Sequence, residues 1–88
     1  MKLNKSFEIV SVADDYLAIP VGDKALSFNG VVSLTEAVAY LLKHMDTNKS
    51  VEELVDLLCD EYDVEQKKAY ADVQQMVKEL SVLGVIES

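Results

Sequence analysis

The chain has 88 residues, 16 Asp and Glu against 8 Lys and Arg, and a formal net charge of -8. That length suits one domain, residues 1–88, with one core and little room for a deep catalytic cleft. Every basic residue is Lys, and an acidic chain without Arg is poorly equipped to neutralise phosphates, which argues against nucleic acid as a partner.

Half of the residues are apolar, as in a folded globule rather than a disordered tail. The lone cysteine, Cys59, cannot form an internal disulfide. The N-terminal residues lack the apolar stretch of a signal peptide, and no apolar run approaches the ~18–20 residues of a membrane span. A cytoplasmic protein without membrane contact is the resulting expectation. The charge is uneven: residues 1–44 hold four Lys and five acids, whereas residues 45–88 hold four Lys and eleven acids.

In chain order, Phe7–Val12 is rich in β-formers, with Phe7 and Ile9 on one face. Asp14-Asp15 signals a turn, and Tyr16–Pro20 is a second short run that Pro20 ends or holds at an edge. Val21–Lys24 supplies the next turn. Ala25–Asn29 is then expected as a third strand, Leu26 and Phe28 on one face and Ser27 and Asn29 on the other, ended by Asn29-Gly30. Such short turns imply an antiparallel meander.

Helical spacing follows. Ser33-Leu34-Thr35-Glu36 has the form of a capping box, and Leu34, Ala37, Val38, Leu41, Leu42 and Met45 make one apolar face. After a polar break at Asp46–Lys49, Ser50-Val51-Glu52-Glu53 is a second capping box, with Val51, Leu54, Val55, Leu58 and Tyr62 at helical spacing. Asp63–Gln66 can cap a third helix, on which Ala69, Val73, Met76, Val77, Leu80 and Leu83 share a face. Gly84 suits the left-handed position after it. The fold class is α+β: three strands followed by three helices stacked on a small sheet.

The catalytic inventory is thin. The only histidine, His44, falls near the end of the first helix, where it reads as a capping residue; Cys59 falls at the edge of a core face and reads as a small hydrophobe. No Gly-rich phosphate loop, nucleophile elbow, Cys-x-x-Cys pair or Asp-x-Asp-x-Asp-Gly loop is present. The acids Asp56, Asp60, Glu61, Asp63 and Glu65 read as a solvated or docking face. No catalytic residue, metal or cofactor is therefore expected, and the chain is not read as an enzyme. Three binding classes remain: a winged-helix DNA-binding domain, which the absent Arg opposes; a small dimerisation or scaffold domain; and a module that takes a peptide on a strand edge.

The order of these pieces resembles the PqqD family, small proteins of pyrroloquinoline-quinone biosynthesis also described as recognition elements for ribosomally made, post-translationally modified peptides. The resembling stretch runs from about Tyr16 to Ile86. It includes the strand with Pro20, the turn with Gly22, Ala25–Asn29, the apolar helix Leu34–Met45, Lys49–Val55, Asp60-Glu61-Tyr62 and the Asp72-Val73 helix ending in Leu80-x-x-x-Gly84-x-Ile86. It departs from the commonest pattern at Asp46–Lys49, where Asp-Gly is frequent, and in lacking Arg in the third helix.

The resemblance implies a winged-helix-like domain that binds the leader segment of a precursor peptide and presents it to a maturation enzyme: a radical-SAM enzyme, a cyclase or a leader peptidase. It further implies that the leader adds as a strand beside Leu26, Ser27, Phe28 and Asn29, against a helix wall of Tyr70, Val73, Gln74 and Val77, with Asp72 and Lys78 orienting charges. An open strand edge also invites a homodimer.

Overall fold

A computed structural model describes residues 1–88. The elements in order are β1 (Lys2–Leu3), β2 (Phe7–Val12), β3 (Asp15–Pro20), α1 (Lys24–Ser27), β4 (Val32–Leu34), α2 (Glu36–Lys43), α3 (Val51–Glu61), α4 (Gln66–Val82) and β5 (Ile86–Glu87). The main sheet is antiparallel and three-stranded, in the order β2-β3-β4, so the expected α+β arrangement of a small sheet carrying helices is present. A second, two-stranded sheet pairs β1 with β5 and joins the two ends of the chain.

The first hairpin forms where the alternation places it. Val12 pairs with Asp15, leaving Ala13 and Asp14 as a two-residue loop, and Ala13 takes a left-handed φ of 55°. A positive φ at the first loop residue alone matches a type II′ turn, whose twist suits paired strands. Pro20 lies opposite Phe7 at the last position of β3. On the other side of β3, pairing with β4 extends only as far as Ala18, so the missing N–H of Pro20 interrupts no ladder there.

The third strand is not where alternation suggests. Ala25–Asn29 is not a strand: Lys24–Ser27 closes a single helical turn, with Ala25 and Leu26 donating to the carbonyls of Gly22 and Asp23. Gly22 at φ 60° reverses the chain into that turn, which leaves Leu26 88% exposed. Only Phe28 turns inward, its ring meeting Phe7 edge-on at 5.1 Å. The strand that completes the sheet is Val32–Leu34, after a bend at Gly30 with φ 96°. Two residues favour it: β-branched Val32, which suits a pleated surface, and Leu34, which packs against the core opposite Tyr16.

That strand moves the start of α2. Ser33 belongs to β4, and the cap is Thr35, whose Oγ1 accepts from the Val38 N–H at 3.2 Å. The second capping box forms as expected: Ser50 Oγ accepts from Glu53 N–H at 3.1 Å, and Glu53 Oε1 accepts from Ser50 N–H at 3.0 Å. Asp63 does not cap α4, which begins after Glu65 without a side-chain cap. At its far end Gly84, at φ 83°, allows the Gly84 and Val85 N–H groups to reach the carbonyls of Ser81 and Leu80. This is a Schellman motif. It turns Val85 and Ile86 back into the core.

The core sits between the sheet and the helices. Phe7 and Ala18 enter from the sheet, Leu41, Leu42 and Met45 from α2 and its end, Leu54, Val55 and Leu58 from α3, and Ala69, Val73, Met76 and Leu80 from α4. No helix is long and apolar enough to cross a membrane.

Candidate functional site

A strand at the end of a sheet presents backbone groups that its neighbours do not use. β4 is such a strand. It pairs with β3 on one side, and the other side makes no backbone hydrogen bond. Beside that free edge stands α4. A cavity of about 150 Å³ separates the two, lined by Ser33, Leu34 and Thr35 from the β4 end and by Met76, Glu79 and Leu80 from α4.

The cavity continues into a larger one of about 370 Å³ between α2, the end of α3 and α4. Thr35, Val38 and Met76 line both. The larger cavity is mostly apolar, floored by Leu41, Leu58 and Val73 and closed at its far end by Tyr62 and Val64. Together they form one groove: an unpaired strand edge along one wall, an α4 flank along the other, and an apolar recess at one end. Ligand sites commonly combine apolar lining with a few fixed polar groups in this way.

The polar groups of the groove are acidic. Asp72 and Glu79 are the only charged residues that line either cavity. Asp72 also accepts from Lys68 Nζ at 2.7 Å, and Glu79 from Gln75 Nε2 at 2.6 Å. At the recess, the Tyr62 hydroxyl donates to Glu36 Oε2 at 3.0 Å, bridging the end of α3 and the start of α2. Partial loss of water, then that hydrogen bond and the charges of Glu36 and Glu61, push the Tyr62 phenol up to about 12. Each of these effects disfavours a second negative charge.

The residues expected from sequence are distributed as follows. Leu26 and Ser27 lie on the exposed turn α1, Asn29 lies beyond it in the connection to β4, and Phe28 packs on Phe7; none belongs to the sheet edge. Val73 lines the groove. Tyr70 and Gln74 border a shallow surface hollow with Gln66, Lys67 and Ala71 instead, and the Tyr70 hydroxyl donates to Glu52 of α3. Val77 is half-buried against the core.

Helical geometry explains the split. At about 100° per residue, Asp72, Met76, Glu79 and Leu83 fall within ~60° of one another. Tyr70, Gln74, Val77 and Lys78 fall ~140–240° round the helix from Asp72, on the opposite flank of the buried stripe. The groove residues that sequence reading missed are Val32–Leu34, Val38, Tyr62, Met76 and Glu79. Their signal was present in the β-branched Val31-Val32 pair and in the 72-76-79 spacing, but only the position of β4 shows which flank of α4 faces it.

His44 and Cys59 lie away from the groove lining. His44 caps α2, its Nδ1 2.8 Å from the Tyr40 carbonyl and its ring 4.5 Å from the Tyr40 ring. Cys59 is half-buried against the core. Nowhere do three or more His, Cys, Asp or Glu residues gather as a metal cage.

The whole chain superposes on the solved structure of TbiB1 in complex with the TbiA(beta) leader peptide, with a TM-score of 0.76 over 100% of this chain and 96% of that one. The two are 18% identical, so the likeness is one of fold. No curated protein matches the sequence. The family model described as coenzyme PQQ synthesis protein D matches residues 20–86, from the last residue of β3 through all the groove elements to β5. The chain belongs to the PqqD family.

Proposed function

We propose that this protein is a non-catalytic peptide-recognition module of the cytoplasm, spanning residues 1–88. It binds the leader segment of a ribosomally made precursor peptide and presents that peptide to a maturation enzyme such as a radical-SAM enzyme, a cyclase or a leader peptidase. The observation that carries the reading is the unpaired edge of β4 beside an apolar groove. Family membership and a fold shared with a leader-peptide complex support it.

The leader adds to β4 as a fourth strand of the main sheet. Main-chain hydrogen bonds to the edge supply sequence-independent affinity, and side chains entering the recess supply selection. In this reading Val32–Leu34 form the edge and Val73, Met76 and Val38 the apolar wall, while Leu26–Asn29, Tyr70, Gln74 and Val77 lie outside the groove lining. A free leader is disordered, and ordering it costs several kcal/mol. A preformed edge and wall limit that cost to one register. Holding the leader then raises the effective concentration of the attached core peptide at the enzyme.

The test is a ¹⁵N NMR titration with the leader of a precursor encoded beside this gene. Amides of Val32, Ser33 and Leu34 and of the Met76–Leu80 segment are expected to shift together. Val38→Ser removes one methyl group and makes another polar, which at ~0.8 kcal/mol per buried carbon weakens binding by roughly tenfold. Tight binding with no shift at β4, or undiminished affinity in a folded Val38→Ser variant, would overturn the assignment.

A further inference from the structure

The groove has a charge as well as a shape. Its α4 wall places Asp72, Met76 and Glu79 on one flank, the thioether between two carboxylates. Seven residues at about 1.5 Å of rise each put the two carboxylate positions ~10 Å apart along the helix. In an added strand, side chains four residues apart lie on the same face and about 13 Å apart, with one further side chain on that face between them. Long, flexible basic side chains can close that difference.

The charged groups at the Tyr62 end of the groove have the same sign, and the nearby lysines are Lys68 and Lys24. Glu36 and Glu61 lie at the Tyr62 end. Lys68 is turned to Asp72, as an exposed pair that screens it only in part. Lys78, on the same helix, falls on the far flank. Lys24 lies beyond the Glu79 end of α4, its ammonium 3.8 Å from where a side chain on Gly84 would begin, and Glu79 is five residues before Gly84 in the chain.

We propose that the groove is charge-selective: it takes an extended peptide of the pattern basic-x-apolar-x-basic, the apolar side chain entering over Met76 and the two Lys or Arg side chains meeting Asp72 and Glu79. This rests on the leader-binding reading and specifies which leader chemistry the groove accepts. The matching acidic pattern is rejected, because two carboxylates would face two more across the groove.

The experiment is a display selection from a library of random ten-residue peptides against the wild-type protein and against an Asp72→Asn/Glu79→Gln variant whose fold is checked by circular dichroism. Each enriched peptide is mapped by its NMR shifts on β4. Wild type is expected to enrich Lys or Arg two residues to either side of an aliphatic or aromatic residue, in peptides that shift the Val32–Leu34 amides. Each lost carboxylate is expected to weaken such peptides about threefold, and raised salt to weaken them on wild type more than on the variant. Peptides that map to β4 with neutral or acidic flanks, or that bind both proteins equally, would overturn the charge assignment and leave leader binding at the groove standing. If no enriched peptide maps to β4, the groove reading and the charge assignment both fall.

Discussion

Tyr62 shows how one side chain joins parts of the site that lie far apart in sequence. It ends α3, closes the apolar recess, stands edge-on to Tyr40 at 5.9 Å and donates to Glu36 at the start of α2. Its phenol is raised from 10.0 to about 12, so the folded state holds that proton more tightly than the unfolded chain does. The resulting stability is fully present below pH 10 and is lost as pH rises through about 12. A Tyr62→Phe variant should therefore lose less stability over that interval than wild type, in urea unfolding at stepped pH. Tyrosinate absorbance of wild type should show one phenol ionising last, and the variant should lack it. The sequence marked Tyr62 as a helical core position; its bond to Glu36 depends on where α2 begins.

At the scale of elements, legibility follows how local the deciding interaction is. The Ser50–Glu53 box is read directly because both partners lie within one turn. Ser50→Ala should cost about 1 kcal/mol in chemical denaturation. The Ser50 backbone and side-chain hydrogen bonds hold the Glu53 carboxyl below the usual carboxylate range. Their stabilisation is present at neutral pH and lost as pH falls through the lowered value, so Ser50→Ala should also flatten the acid limb of the stability profile. Ser33-x-x-Glu36 has the same local form and does not become a cap, because Ser33 pairs with Leu17 in β4. Ala25–Asn29 misleads for a related reason. Its alternation suits a strand, yet Gly22 and Asp23 close a turn there, and the sheet takes the next β-branched segment instead.

At the scale of the whole molecule, the chain ends clasp the fold. β1 pairs with β5, Leu3 N–H donates to the Met45 carbonyl, and Lys49 N–H donates to the Met1 carbonyl. Asn4 is the centre of this clasp: its Nδ2 donates to the Gly84 carbonyl at 3.0 Å and its Oδ1 accepts from Ser6 N–H at 2.9 Å. Both bonds are partly buried, so Asn4→Ala should destabilise by about 1–2 kcal/mol, with a lower urea midpoint and an unchanged m-value. Because the clasp anchors the end of α4, it also keeps that helix beside β4, and the same variant should weaken peptide binding modestly in calorimetry.

Periodicity, capping and composition were enough to determine three amphipathic helices, the first hairpin, the acidic balance and the poverty of catalytic side chains. These depend on neighbours within a few residues or on simple counting. The family resemblance, too, was carried by the order of motifs along the chain. The third strand and the groove were decided by tertiary structure. A three-residue strand has almost no local signal, and it exists because β3 offers it a ladder and the core a place for Leu34. Which flank of α4 lines the groove follows from that pairing, so the acidic wall of Asp72 and Glu79 could be recognised only once β4 stood opposite it.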